Sequence, residues 1–267
     1  MAQPSLRPAE REGPFYLPRG NEAPIFEQCH ARGLPVLLKG PTGCGKTRFL
    51  EYMAWRLERP LITVACHDDL SATDLTGRYL VIDGETVWHD GPLSAAARAG
   101  AICYLDELVE ARADTIVVIH PLADHRRVLP IEKTGELIEA ADGFQLVISY
   151  NPGYQQLLKE LKPSTRQRFV TIEFALPAPD TERRIVAHEG GVPDSTAAAL
   201  VELAGRIRRL DAHGLAELPS PRLLVSTARL MAGGIAAREA CRAALIAPLT
   251  DDPELLSAME ALVTATF

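Results

Sequence analysis

The chain has 267 residues, 47% hydrophobic and 24% charged, an ordinary globular composition able to bury one large core or two smaller ones. Its formal net charge of -7, from 28 Lys+Arg against 35 Asp+Glu, gives no overall basic field to attract nucleic acid or anionic lipid. The five scattered cysteines (Cys29, Cys44, Cys66, Cys103, Cys241) contain no C-x-x-C pair, residues 1–11 resemble no signal peptide, and no run approaches the ~18 apolar residues of a membrane span; this excludes a disulfide scaffold and fits a cytoplasmic protein with reduced thiols.

In chain order, the first informative element is Val36-Leu37-Leu38, an apolar run that reads as a buried strand. It feeds Gly40-Pro41-Thr42-Gly43-Cys44-Gly45-Lys46-Thr47, a complete G-x-x-x-x-G-K-[ST] phosphate loop, and a breaker-free helical stretch follows over 47–57. Gly40, Gly43 and Gly45 let the backbone aim successive N–H groups inward to cradle phosphate oxygens. The helix start adds its positive dipole end. Lys46 is expected to reach the β/γ-phosphates and the Thr47 hydroxyl to coordinate Mg²⁺, so the chain is expected to bind a nucleoside triphosphate.

Residues 61–65 supply a second strand, and 79–82 with 85–88 flank Asp83-Gly84, a strong hairpin signal. The apolar run 101–105 then leads straight into Asp106-Glu107. An acidic pair at the carboxyl end of a buried strand lies where open α/β sheets bind ligands. Asp106 is placed to hold Mg²⁺, directly or through water, and Glu107 to polarise an attacking water. N-capping of the next helix is the structural alternative. A second hairpin is expected where 128–131 and 136–139 flank Lys133-Thr134-Gly135. His67, His120, His125 and Arg126-Arg127 lack metal-like spacing and read as structural or partner-contacting.

The fourth strand, 144–149, ends in Tyr150-Asn151-Pro152-Gly153, where Asn151 either serves the nucleotide site or only makes a turn. A fifth strand at 169–174 precedes a proline-marked linker, 176–180. Beyond it the period becomes helical over 181–189, 195–210, 220–231, 236–247 and 253–266, separated by Gly190-Gly191, His213-Gly214, Gly233-Gly234 and Pro248. The expected fold is α/β: a five-stranded parallel sheet flanked by helices over 1–177, then a small all-helical lid domain over 178–267.

The ordered set of phosphate loop, Leu105-Asp106-Glu107, Asn151, Arg166-Gln167-Arg168-Phe169 and Ser220-Pro221-Arg222 resembles an AAA+ ATPase of the MoxR branch. Longer strings narrow the likeness. Leu38 through Phe49, Asp74-Leu75-Thr76-Gly77-Arg78-Tyr79, Tyr104-Leu105-Asp106-Glu107, Ser149 through Tyr154 and Lys162 through Phe169 are similar to the CbbQ/NirQ/NorQ family, from about residue 14 to the end. A sugar or nucleoside kinase would lack the later arginines, and a DNA-handling relative would carry a basic face.

The resemblance implies an ATP-hydrolysing homohexamer using ATP and Mg²⁺. Nucleotide contacts carry over to Gly40 through Thr47 and Arg48, and metal contacts to Thr47 and Asp106. Glu107 carries over as the catalytic glutamate, Asn151 as sensor 1 and Arg222 as sensor 2. Arg168 matches a finger reaching the neighbouring subunit's site, and Arg166 could share or exchange that role; apart from the resemblance, all three arginines read as surface residues. The first hairpin would be an insert in helix 2 and the second would precede sensor 1. A partner with a von Willebrand factor A domain (CbbO-like) is implied. The client would be Rubisco, with nitric oxide reductase maturation and metal insertion as the alternative. The cytoplasm, or association with the carboxysome, is the implied location, with no nucleic acid bound and no membrane span.

Overall fold

A computed structural model describes residues 13–151, 161–210 and 217–267. Pro152, Gly153 and Tyr154 of the expected turn and the His213-Gly214 break lie outside the described residues. Residues 13–40 and 46–174 form one compact unit, and 41–45 with 175–267 form a second.

In the first unit α1 (Glu22–Ala31) leads to β1 (Val36–Lys39), whose Val36, Leu37 and Leu38 are buried. Helix α2 (Lys46–Arg56) buries Phe49, Leu50, Met53 and Ala54, one stripe at helical spacing. Then come β2 (Leu61–Ala65) and α3 (Ala72–Thr76), the latter opened by a capping box in which Ser71 and Asp74 satisfy each other's backbone N–H groups. The hairpin of β3 (Gly77–Ile82) and β4 (Glu85–Asp90) turns through Asp83 and Gly84 at φ 52° and 84°, the two left-handed residues that this tight turn demands. Helix α4 (Pro92–Ala99) precedes β5 (Ile102–Asp106), a single 3₁₀ turn (Leu108–Glu110) and α5 (Ala113–Val118). The second hairpin pairs β6 (Val128–Ile131) with β7 (Glu136–Glu139), and β8 (Gln145–Tyr150), α6 (Pro163–Arg166) and β9 (Val170–Glu173) complete the unit.

The main sheet is five-stranded and parallel in the order β2-β5-β8-β1-β9. Burial follows that order: all six residues of β8 are buried, whereas β2 and β9 at the edges expose alternate positions. One face packs on Leu75, Leu93, Ile119 and Leu129 through Leu37, Cys103, Leu105 and Ile148. The other face carries an aromatic cluster in which Phe49 lies 5.5 Å from both Phe26 and Tyr16 and 5.3 Å from Phe174, centroid to centroid. Strands β5 and β8 begin one residue later than their apolar runs suggest, because parallel pairing to both neighbours sets their ends.

The second unit is helical: α7 (Pro179–Gly190), α8 (Asp194–Arg208), α9 (Pro221–Ala232), α10 (Ala237–Cys241) and α11 (Pro253–Thr266). Its core holds Val186, Leu200, Leu203, Ile207, Leu224, Leu245 and Met259. The expected linker is shorter than its prolines imply, since Pro179 already occupies the first turn of α7. Helices α7 and α9 approach so closely that a Cβ on Gly190 would lie 2.4 Å from the Ala228 Cβ. The single helix expected over 236–247 is corrected: after Cys241 it widens into a π segment, Arg242–Ile246. That extra residue per turn lets Cys241, Leu245 and Ile246 all stay in the core. Glu182 is fully buried, and its two carboxylate oxygens accept 2.6 and 2.8 Å hydrogen bonds from Arg208, which also donates to the Pro219 carbonyl.

Candidate functional site

Strand order brings Gly40, Lys46, Asp106, Glu107 and Asn151 to one end of the sheet in the first unit. Because β8 lies between β1 and β5, the segments that follow these three strands emerge side by side at one end of the sheet. Gly40 follows β1 and donates its N–H to the Tyr150 carbonyl at 3.2 Å; a Cβ there would lie 2.3 Å from the Phe174 carbonyl oxygen, so the position takes only glycine. Pro41, Thr42, Gly43, Cys44 and Gly45 continue the loop, with Gly43 at φ 70° and Gly45 at φ 101°. Lys46 and Thr47 open α2.

Lys46 is only 7% exposed, although its head group is an ammonium. It donates to the Gly40 carbonyl at 2.8 Å and to Asn151 Oδ1 at 2.6 Å. Asn151, just past β8, in turn donates from Nδ2 to Glu107 Oε1 at 2.8 Å. Four residues expected at the nucleotide are thus joined by their own polar groups. Arg48 faces outward and pairs with Glu51 at 3.1 Å.

The acidic pair sits at the end of β5. Asp106 is its last residue, and Glu107 follows at φ 55° and ψ 46°, a left-handed conformation that costs a residue with a side chain about 1–3 kcal/mol. Glu107 stands at the N-cap position of the 3₁₀ turn, yet its side chain makes no capping bond and turns to Asn151 instead. Its N–H donates to Ser149 Oγ at 2.8 Å, and Ser149 Oγ donates to Asp106 Oδ1 at 2.6 Å. The buried Tyr104 hydroxyl donates to the same carboxylate oxygen and also engages Ser149 and Thr47. Burial, followed by the Asp106 charge, pushes the Tyr104 phenol far above its usual range, so it stays a neutral donor. Nearby, burial and then the charges of Asp106 and Glu107 push the Cys66 thiol up to about 12. That thiol is inert at neutral pH.

The donor set suits a magnesium nucleotide. A buried ammonium, a glycine-formed loop and a hard oxygen pair, the Thr47 hydroxyl and the Asp106 carboxylate, match phosphate and Mg²⁺ chemistry. Sequence reasoning missed Ser149 and Tyr104. Alternation along a strand could have flagged them, since Ser149 shares a side of its strand's path with Asn151 and Tyr104 with Asp106.

The later arginines are placed as follows. Arg166 ends α6 and is exposed, while Arg168 donates back to the Ser164 carbonyl. The α6 turn is held from within by Thr165, which hydrogen-bonds His120 at 3.1 Å. Burial, and then the nearby Arg168 charge, hold His120 below the usual histidine range. Arg222 is exposed in the first turn of α9, in the second unit, where Pro221 takes the first helical position and Ser220, at the N-cap, makes no side-chain capping bond. Arg127 is structural, donating to the Gly33 and Phe144 carbonyls, and Arg126 pairs with Asp124. Among the described residues no group of three His, Cys, Asp or Glu side chains could hold a metal, and no helix is long and apolar enough to cross a membrane.

Comparison with known proteins agrees with this architecture. Residues 35–169 match the AAA domain of the dynein-related subfamily, and residues 182–266 match the CbbQ/NirQ/NorQ C-terminal family. The chain is 57% identical to Protein CbbQ of Hydrogenophilus thermoluteolus over 96% of both chains. It is 60% identical to Protein NorQ of Paracoccus denitrificans, covering 96% of this chain and 95% of that one. Against the denitrification regulatory protein NirQ of Stutzerimonas stutzeri the identity is 57%, covering 96% and 93%. A crystal structure of a candidate ATPase from Cytophaga hutchinsonii shares the fold at TM-score 0.51 and 16% identity, covering 90% of this chain and 80% of that one. The chain is an ATP-binding, ATP-hydrolysing AAA enzyme, and it belongs to the CbbQ/NirQ/NorQ family.

Proposed function

We propose that the chain is the motor subunit of a remodelling complex, a homohexamer that turns ATP hydrolysis into work on a client presented by a separate partner with a von Willebrand factor A domain (CbbO-like). The observation that carries this reading is the linked set Lys46, Asn151 and Glu107 at the end of a parallel sheet, in a chain matched along nearly its whole length by CbbQ, NorQ and NirQ. In this reading residues 1–177 form the nucleotide-binding domain and residues 178–267 the lid.

The mechanism follows from the residues' own chemistry. Backbone N–H groups of residues 40–45 and the Lys46 ammonium bind phosphate oxygens, and Thr47 with Asp106 would hold Mg²⁺. The metal, when bound, neutralises charge on the phosphates. Glu107 accepts a proton from the attacking water, and Asn151 orients Glu107 through its Nδ2. Arg168, with Arg166 beside it, acts in a neighbouring subunit's site, and Arg222 reports nucleotide state from the lid. Force would leave through the two hairpins. The first exposes Tyr79, Val81, Ile82 and Val87, with Val81 75% exposed, an apolar surface suited to a protein partner.

The proposed client is inhibited Rubisco, in the cytoplasm or with the carboxysome. Nitric oxide reductase maturation is the second reading, because the identities to CbbQ and NorQ, 57% and 60%, are equally close. Reconstitution tests both: each client, with ATP and with or without the adaptor, is followed by carboxylation or by nitric oxide reduction. Activity recovered only when chain and adaptor act together on Rubisco supports the first reading, and recovery confined to the reductase moves the assignment to the second. Recovery with the chain alone overturns the division of labour.

A further inference from the structure

We infer that Ser149 is a positioning residue that locks the metal-holding and water-activating carboxylates into one rigid turn. The inference rests on the reading of Asp106 and Glu107 given above. Ser149 is fully buried in β8, the central strand whose six residues are all buried. Its hydroxyl has one hydrogen and two lone pairs, and both neighbours dictate how these are used. The Glu107 backbone N–H can only donate, so at 2.8 Å the Ser149 oxygen must accept. The Asp106 carboxylate then takes the Ser149 proton at 2.6 Å, a short charge-assisted bond.

One side chain therefore grips both members of the acidic pair. The grip on Glu107 falls at the strained point, since this residue holds φ 55°. Without it the turn is free to relax toward ordinary backbone, carrying the Glu107 carboxylate away from Asn151. The grip on Asp106 is shared with Tyr104, which meets the same Oδ1 and leaves Oδ2 free of both donors. Ser149 and Asn151 are two residues apart, so the strand that presents Asn151 also aligns the pair to which Asn151 bonds.

The test separates alignment from folding. Ser149→Ala should keep metal-free nucleotide affinity, read by titrating a fluorescent ATP analogue in EDTA. It should raise the Mg²⁺ concentration needed for half-maximal tightening of binding by about 10–100-fold, with turnover falling by a similar factor. Ser149→Thr, which restores a hydroxyl, should behave like the parent, and Ser149→Cys, a weak donor of similar size, should fall between. Asp106→Asn is the control. If it shifts the Mg²⁺ requirement while folded Ser149→Ala and Ser149→Cys do not, the inference is overturned and the reading of Asp106 stands. If Asp106→Asn shifts nothing, the reading of the acidic pair fails and the inference falls with it.

Discussion

At the scale of single residues, the polar chain through Lys46, Asn151 and Glu107 separates binding from chemistry. Lys46→Ala removes the ammonium proposed to meet phosphate, and nucleotide affinity should weaken by about 2–5 kcal/mol, the range for truncating one partner of a buried charged pair. Glu107→Gln keeps the shape and the bond from Asn151 while losing the proposed base, so affinity should hold and turnover should fall by about 10²–10⁴-fold. Equilibrium binding and phosphate release, measured on both variants, check this; near-parental turnover in Glu107→Gln would remove its role. The phosphate loop was legible because its residues are contiguous and its chemistry tolerates few substitutes. Asp106 and Glu107 were legible because they end an apolar run. The Ser149 hydroxyl was not, because its partners come from a strand adjacent in space and distant in sequence; Tyr104 bonds Asp106 within its own strand, and only the alternation could have flagged it. The left-handed Glu107 carries no sequence signal, since glutamate is not a residue that invites that conformation.

At the scale of elements, the helical unit carries a buried ion pair beside its apolar core. Glu182 in α7 is fully buried and bonded through both oxygens to Arg208 in α8, and Arg208 continues to the Pro219 carbonyl just before α9. Removing one partner leaves an uncompensated charge, so Glu182→Leu should destabilise the protein by about 3–5 kcal/mol in guanidinium denaturation. The double variant Glu182→Leu/Arg208→Leu should recover much of that loss, and an equal loss in single and double variants would deny the pair its role. Elements with strong punctuation were legible: Asp83-Gly84 set one hairpin, whose strands run two residues further at each outer end than expected, and Thr134-Gly135 the other, whose strands fall at 128–131 and 136–139 as expected. Helix α1 was not read, since Pro24 sits in its first turn and its apolar residues form no clear stripe. The π segment after α10 was equally unreadable, because packing of Leu245 and Ile246, and not local propensity, favours it.

At the scale of the whole molecule, the proposed finger donated in trans would make each site depend on its neighbour. If the proposed hexamer is the active form, specific activity should climb with protein concentration until rings dominate. Arg168→Ala should bind nucleotide normally and hydrolyse it about 10³-fold more slowly. Mixing it with Lys46→Ala subunits should restore part of the rate, because an intact arginine then faces an intact pocket; full activity in a monomeric fraction would refute the arrangement. The sheet's strand order has a further consequence, for how the protein is made. Strand β1 has no neighbour close to it in the chain: Val36 pairs with Val147 on one side and Val170 on the other. On the ribosome the phosphate loop therefore emerges attached to an apolar strand with both edges open, and it waits until β8 and then β9 have been synthesised. The nascent chain gains its nucleotide pocket late and all at once, in a slow, non-local closure during which an unpaired hydrophobic strand is exposed to whatever else can pair with it.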